Sequence, residues 1–239
     1  MKCQNAVGKT EISAIPHDCY IKLSEVVGRK NGAKSTRLSV SEMSIVGLDL
    51  AGVENRPSGF CVLRDMKAEA FLVYTDKEIL DRICDCNPEI VAIDAPLCLP
   101  PGRKCLEDRT GPHLRECDRE LLRRGIKFFP LTLGPMRKLT SRGMKLRSFL
   151  EAGKFMVIEV YPGGALDILG IARKQKGLEK LKSGLENLGI KGLVGQMSDH
   201  ELDAVTCAFV GKLFLERKAV TYGTPNKGIV MPPTSKGIT

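Results

Sequence analysis

From position 43 onward, short apolar runs and amphipathic stretches follow one another in a definite order. Residues 45–50 form an apolar strand that stops at Ala51-Gly52. Residues 59–64 and 70–74 are two further strands across the short polar turn Asp65-Met66-Lys67, the pattern of an antiparallel meander. Thr75 caps a helix over 76–86, with Asp76 and Glu78 in its first turn, where acids favour the positive helix end, and Asn87-Pro88 stops it. Residues 89–94 are apolar with almost no polar alternation, as expected of a strand covered on both faces in a parallel sheet. A proline-rich loop at Pro96, Pro100 and Pro101 follows. Next come a basic amphipathic helix over 113–124 ended by Gly125, a helix over 144–152 ended by Gly153, and a second fully apolar strand over 155–160. Helices over 163–170, 178–188 and 199–217 and a small terminal hairpin within 220–231 complete the pattern.

A three-strand meander followed by helix, strand, helices, strand and helix is the order of a ribonuclease H-like fold. This is an α/β architecture whose five-stranded mixed sheet joins the antiparallel meander to two parallel strands, with helices on both faces. Residues 1–42 lack periodic apolar content and read as an extension outside the fold, either a basic tail or a stretch upstream of a natural start at Met43. Residues 43–239 then form one domain, in keeping with a total length of 239.

Composition adds a partner and a compartment. A net charge of +9 favours an anionic partner, nucleic acid being the usual one. No apolar run has the length of a signal peptide near the start or of a membrane span anywhere, so no membrane association is expected. Nine cysteines without framework spacing read as free thiols in a reducing cytoplasm. Cys84 and Cys86 form a lone C-x-C, which lacks the second pair or the histidines a zinc site needs. Protein partners are not specified by any motif.

Four carboxylates stand out against this background. Asp49, Asp94 and Glu159 each lie near the C-terminal end of an apolar strand, where α/β sheets bind their ligands. Asp203 lies near the start of the last helix among Leu202, Ala204 and Val205. One such residue has ordinary explanations: a hydrogen bond to the next turn for Asp49 or Asp94, an arginine partner for Glu159. Four on neighbouring strands and the helix crossing them make a cluster of like charges that needs cations. Oxygen donors without cysteine or histidine neighbours favour magnesium or manganese. Two such ions about 3.5–4 Å apart activate water and stabilise the leaving oxygen of a phosphodiester. His200 lies one turn before Asp203 on the same helix side, as a metal ligand, a proton carrier or a surface residue, and Asp199 reads as a helix-start residue.

The segments Gly47-Leu48-Asp49-Leu50-Ala51-Gly52, Ala92-Ile93-Asp94-Ala95-Pro96-Leu97, Cys117-Asp118-Arg119-Glu120-Leu121, Ile158-Glu159-Val160-Tyr161-Pro162-Gly163 and His200-Glu201-Leu202-Asp203-Ala204 occur in this order. Together they resemble the "domain of unknown function 429" family of predicted nucleases, to which a ribonuclease H-like fold is assigned. The resemblance runs from about Met43 to Pro232, and its most specific pieces are Ile-Asp-Ala-Pro-Leu and Glu-Val-Tyr-Pro. It implies the fold and a hydrolase activity, a metal-dependent nuclease. The last helix, with its His-x-x-Asp, is similar to that of Holliday-junction resolvases, which implies roles for His200 and Asp203.

The basic residues suggest how a substrate would be held. Arg115, Arg119 and Arg123 repeat every four residues along one helix and form a stripe suited to phosphates, unless Glu116, Asp118 and Glu120 pair with them in a solvated face. Lys174 is a further phosphate candidate. Two other functions fit less well. An ATP-binding phosphotransferase of the actin and sugar-kinase type shares the fold and a similar first loop, but closes over ATP with two copies of it. A non-catalytic nucleic-acid-binding module would leave the buried carboxylates with nothing to offset them.

Overall fold

The computed structural model describes residues 43–234; the expected extension over 1–42 lies outside the described residues. The strands are β1 (Ile45–Asp49), β2 (Ser58–Arg64), β3 (Lys67–Val73), β4 (Ile90–Asp94), β5 (Met156–Val160), β6 (Val220–Tyr222) and β7 (Ile229–Met231). The helices are α1 (Asp76–Cys86), α2 (Glu116–Arg123), α3 (Gly134–Ala152), α4 (Pro162–Leu169), α5 (Leu178–Asn187) and α6 (Asp199–Leu215), with a short 3₁₀ turn at Lys174–Lys176.

The sheet runs β3-β2-β1-β4-β5-β7-β6. β1 to β3 are the antiparallel meander, and β4 and β5 run parallel to β1. The first five strands thus take the expected order. The sheet has seven strands rather than five, because the terminal hairpin is not separate: β7 pairs in parallel with β5. An uncovered β5 would present a row of unpaired backbone groups at the sheet edge, and the fully buried β7 satisfies them. α3 begins at Gly134 rather than at 144. Its first turns carry Pro135 at the position where the missing N–H does no harm, followed by Arg137 and Lys138, so the apolar stripe is faint there.

The two faces of the sheet carry separate cores. Ile45, Ile90, Ala92 and Ile158 pack with α4, α5 and α6 on one face. Val46, Leu48, Val91 and Ile93 pack with Ile79, Leu80 and Ile83 of α1 and Leu146, Phe149 and Leu150 of α3 on the other. α6 lies close enough to the sheet that two positions admit only glycine. A Cβ on Gly47 would stand 2.1 Å from the Ala204 carbonyl oxygen, and one on Gly59 1.8 Å from that of His200. These glycines bring the helix that carries His200 and Asp203 down onto the strand that carries Asp49.

Candidate active site

β1 and β4 are paired in parallel with Asp49 directly beside Asp94. Side chains alternate along a strand, so both carboxylates leave the sheet on the side of Gly47 and Ala92, the side that α6 covers. α6 starts at the cap Ser198, whose hydroxyl accepts from the Glu201 amide while Glu201 reaches back to the Ser198 amide. The cap fixes the first turn, and His200 and Asp203 then project from successive turns toward Asp49 and Asp94.

His200 Nδ1 lies 2.7 Å from Asp49 Oδ2, and this bond, against the effect of partial burial, holds the imidazole above its usual range. Lys174 Nζ donates to Asp203 Oδ2 and to Asp199 Oδ2, each at 2.9 Å. Burial works against the Lys174 charge, but Asp203 and Asp199 outweigh it and strengthen its hold on the proton. Burial, and then the facing Asp49 and Asp203, push the Asp94 carboxyl well above the usual carboxylate range. Burial and Asp49 push Asp203 up to about 6, Lys174 opposing them. The site is therefore a set of carboxylates at close quarters, with one ammonium and one imidazole as partial compensation.

Glu159, expected near enough to share the metal, takes instead the arginine partner that was its ordinary alternative. It pairs with Ile93 across β4 and β5, so its side chain leaves the sheet on the opposite face from Asp94. There it accepts two bonds of 2.7 Å from the Arg115 guanidinium and one of 2.8 Å from the Leu97 amide. Arg115 is also corrected. It caps α2 from inside the protein, only 3% exposed, and binds Asp118 through Nε and Nη2 as well as Glu159. Four of its five N–H donors are spent on the buried Asp118 and Glu159 and the fifth faces the half-buried Cys98 Sγ at 3.7 Å, which leaves none free for phosphate. Arg119 and Arg123 do lie on the exposed side of α2, where both pair with Glu116.

The donor set suits a hard divalent cation: three aspartates, two of them raised by burial and then by their neighbours' charge, and no thiolate among them. Yet no group of three or more His, Cys, Asp or Glu side chains forms a ready metal cage among the described residues. The reason is visible in the hydrogen bonds. Asp49 turns one oxygen to His200 and Asp203 one oxygen to Lys174, so each already has a partner in the metal-free chain. Lys174 was foreseen as a phosphate ligand, but not as the counter-ion of Asp203. Arg173, which binds Asp167 and lies over the Tyr161 ring, anchors the turn that delivers it. Cys84 is buried and Cys86 half-buried, both as free thiols, on α1 in the core of the other face.

Fold and site define a mixed-sheet α/β protein with an aspartate cluster at the C-terminal ends of its central parallel strands. The family model described as "Protein of unknown function (DUF429)" matches residues 47–227, and the chain belongs to that family. Two solved structures are similar over most of their length. "T. thermophilus RuvC in complex with Holliday junction substrate" has a TM-score of 0.45 at 15% identity, over 73% of this chain and 96% of that one. "Thermus thermophilus RuvC structure" has a TM-score of 0.41 at 14% identity, over 79% of this chain and 100% of that one. No curated protein matches the chain. Among the described residues no helix is long and apolar enough to cross a membrane.

Proposed function

We propose that the protein is a metal-dependent nuclease that hydrolyses phosphodiester bonds of nucleic acid with Mg²⁺ or Mn²⁺ held by Asp49, Asp94 and Asp203. One observation carries the reading: Asp94 faces both Asp49 and Asp203 in a buried setting that raises its proton affinity. Such repulsion is a standing cost to the fold unless a cation relieves it. Bound there, the expected pair of ions supplies Lewis acidity for water attack and for the leaving oxygen. Three carboxylates do the work assigned to four, since Glu159 is engaged by Arg115.

The other steps belong to the chain itself. His200, held by Asp49 through Nδ1, presents its other ring nitrogen as a proton carrier for water or leaving group. Lys174 keeps Asp203 and Asp199 together in the absence of a ligand and is half-exposed, so its ammonium is also a partner for a non-bridging phosphate oxygen. Arg119 and Arg123 remain exposed, and their surface pairs with Glu116 are weak enough to exchange for phosphate contacts. The compartment in this reading is the cytoplasm.

The test is cleavage of a panel of junctions, hybrids and single strands, with Mg²⁺, Mn²⁺ or Ca²⁺. Cleavage requires Mg²⁺ or Mn²⁺ and no nucleotide, and either ion raises the melting temperature by binding only the folded state. Asp49→Asn abolishes both effects. Full activity and full metal stabilisation in Asp49→Asn refute the mechanism, and stabilisation that appears only with ATP replaces it with a phosphotransferase.

A further inference from the structure

A cavity of about 190 Å³ opens beside Asp94, and the mechanism above makes no use of it. Asp94 stands at one side of it. Phe128, Phe129 and Leu131 of the loop after α2, Met136 and Leu139 of α3, and Tyr161 after β5 form its walls. The Arg115–Glu159–Asp118 network closes the polar end, with its donors and acceptors spent on one another. Phe129 is 72% exposed, so its ring stands at the open side of the cavity. The Tyr161 hydroxyl donates to the Lys127 carbonyl at 2.6 Å, which ties β5 to the aromatic loop and fixes the walls.

We propose that this cavity takes the unpaired base of the nucleotide next to the cleaved phosphate. The inference rests on the nuclease reading and specifies its substrate: a strand that is single or locally unpaired. Size, lining and position each support it. An apolar cavity of roughly 150 Å³ accommodates benzene, so this one suits a ring system of base size. Its walls offer aromatic and apolar faces and few free hydrogen-bonding groups, which favours stacking over reading a base edge. A phosphate at Asp94 delivers its own nucleotide to the mouth of the cavity. A paired and stacked base cannot enter it, so a duplex must first unstack there, and an unpaired strand need not. The capture is therefore tolerant of base identity.

The experiment uses the full chain in Ca²⁺ and a set of single-stranded oligonucleotides in which one 2-aminopurine, or one abasic site, is moved along the sequence. At one position 2-aminopurine fluorescence is quenched on binding, and an abasic site at that position weakens binding tenfold or more. Phe129→Ala, at an exposed position, and Met136→Trp, which fills the cavity, each remove both effects. Strand binding with no position sensitive to base removal overturns the pocket and leaves the nuclease reading standing, as does unchanged behaviour of both variants. No binding of any single strand overturns the pocket, and no binding of the junctions and hybrids either overturns the nuclease reading as well. If free 2-aminopurine riboside triphosphate quenches at concentrations as low as the strand does, the cavity is a nucleotide site and the strand assignment is wrong.

Discussion

Replacing Arg115 by Met tests whether this arginine is a structural keystone or a substrate ligand. Its guanidinium makes two 2.7 Å bonds to Glu159 and bonds of 2.8 and 3.1 Å to Asp118. The side chains of Arg115, Asp118 and Glu159 are 4%, 3% and 6% exposed. Removal of the cation leaves two carboxylates without water and without a counter-charge. Breaking a buried pair from one side costs about 3–5 kcal/mol. At roughly 2–4 °C per kcal/mol for a domain of this size, the melting temperature falls by about 6–20 °C. Arg115→Lys recovers little, since an ammonium cannot bridge two carboxylates in the plane of a fork. The double variant Arg115→Met/Glu159→Met recovers much of the loss, because one stranded charge is removed with its partner. Urea and thermal denaturation followed by circular dichroism measure all three. If Arg115→Met melts within about 2 °C of the parent and loses only nucleic-acid affinity, Arg115 is a phosphate ligand and the network described above is wrong.

Gly47→Ala puts a methyl group 2.1 Å from the Ala204 carbonyl oxygen and 2.4 Å from the Ala208 amide nitrogen, backbone atoms that cannot swing aside. It costs about 3 kcal/mol or more, and a variant that melts like the parent shows that α6 does not sit as described. Lys174→Met removes the ammonium bonded to Asp203, so the protein melts lower in EDTA but gains more from Mn²⁺ than the parent does; an unchanged Mn²⁺ shift contradicts the counter-ion role. Asp94, Asp203 and His200 all hold protons more tightly in the folded chain, so the metal-free fold binds more protons than the unfolded chain and loses stability as pH rises. For Asp203 the loss falls between its ordinary 3.8 and its raised value of about 6, and for His200 it comes as pH passes through its raised value. Asp203→Asn therefore flattens the slope of EDTA melting temperature against pH over that acid window, and parallel slopes in variant and parent count against it. Arg119→Ala and Arg123→Ala leave stability within about 0.5 kcal/mol but each lower the salt dependence of nucleic-acid binding by about one counterion; an unchanged slope removes them from the interface.

Much of the scaffold was legible because it is local. The helix over 76–86 falls where Thr75, the first-turn acids and Asn87 place it, since caps act within one turn. The strand order follows from a short meander and two apolar runs. α3 begins ten positions before the pattern predicts because its first turns are held by Leu139 against the core and by the buried Arg142, bound to Asp76 and to the Ala51 and Tyr74 carbonyls, rather than by a local apolar stripe. The terminal hairpin was seen, but its attachment to β5 is a contact between segments about seventy residues apart, for which periodicity carries no signal.

The same division runs through the site. The sequence by itself marks Asp49, Asp94 and Asp203 as carboxylates in apolar surroundings, sets Glu159 near them with an arginine partner as its alternative, and offers Arg115 as a phosphate ligand. Only the register between β4 and β5 separates them. Glu159 stands beside Ile93, not beside Ala92 or Asp94, and a shift of one residue in a strand turns a side chain to the other face. That register turns Glu159 to the other face of the sheet and into the reach of Arg115, so a residue expected to share the metal is half of a buried ion pair. The chain specifies which residues are charged and roughly where each strand ends. Which charges meet is decided by register and by how closely α6 descends on Gly47 and Gly59, because these depend on backbone contacts between distant segments and not on any pattern within one.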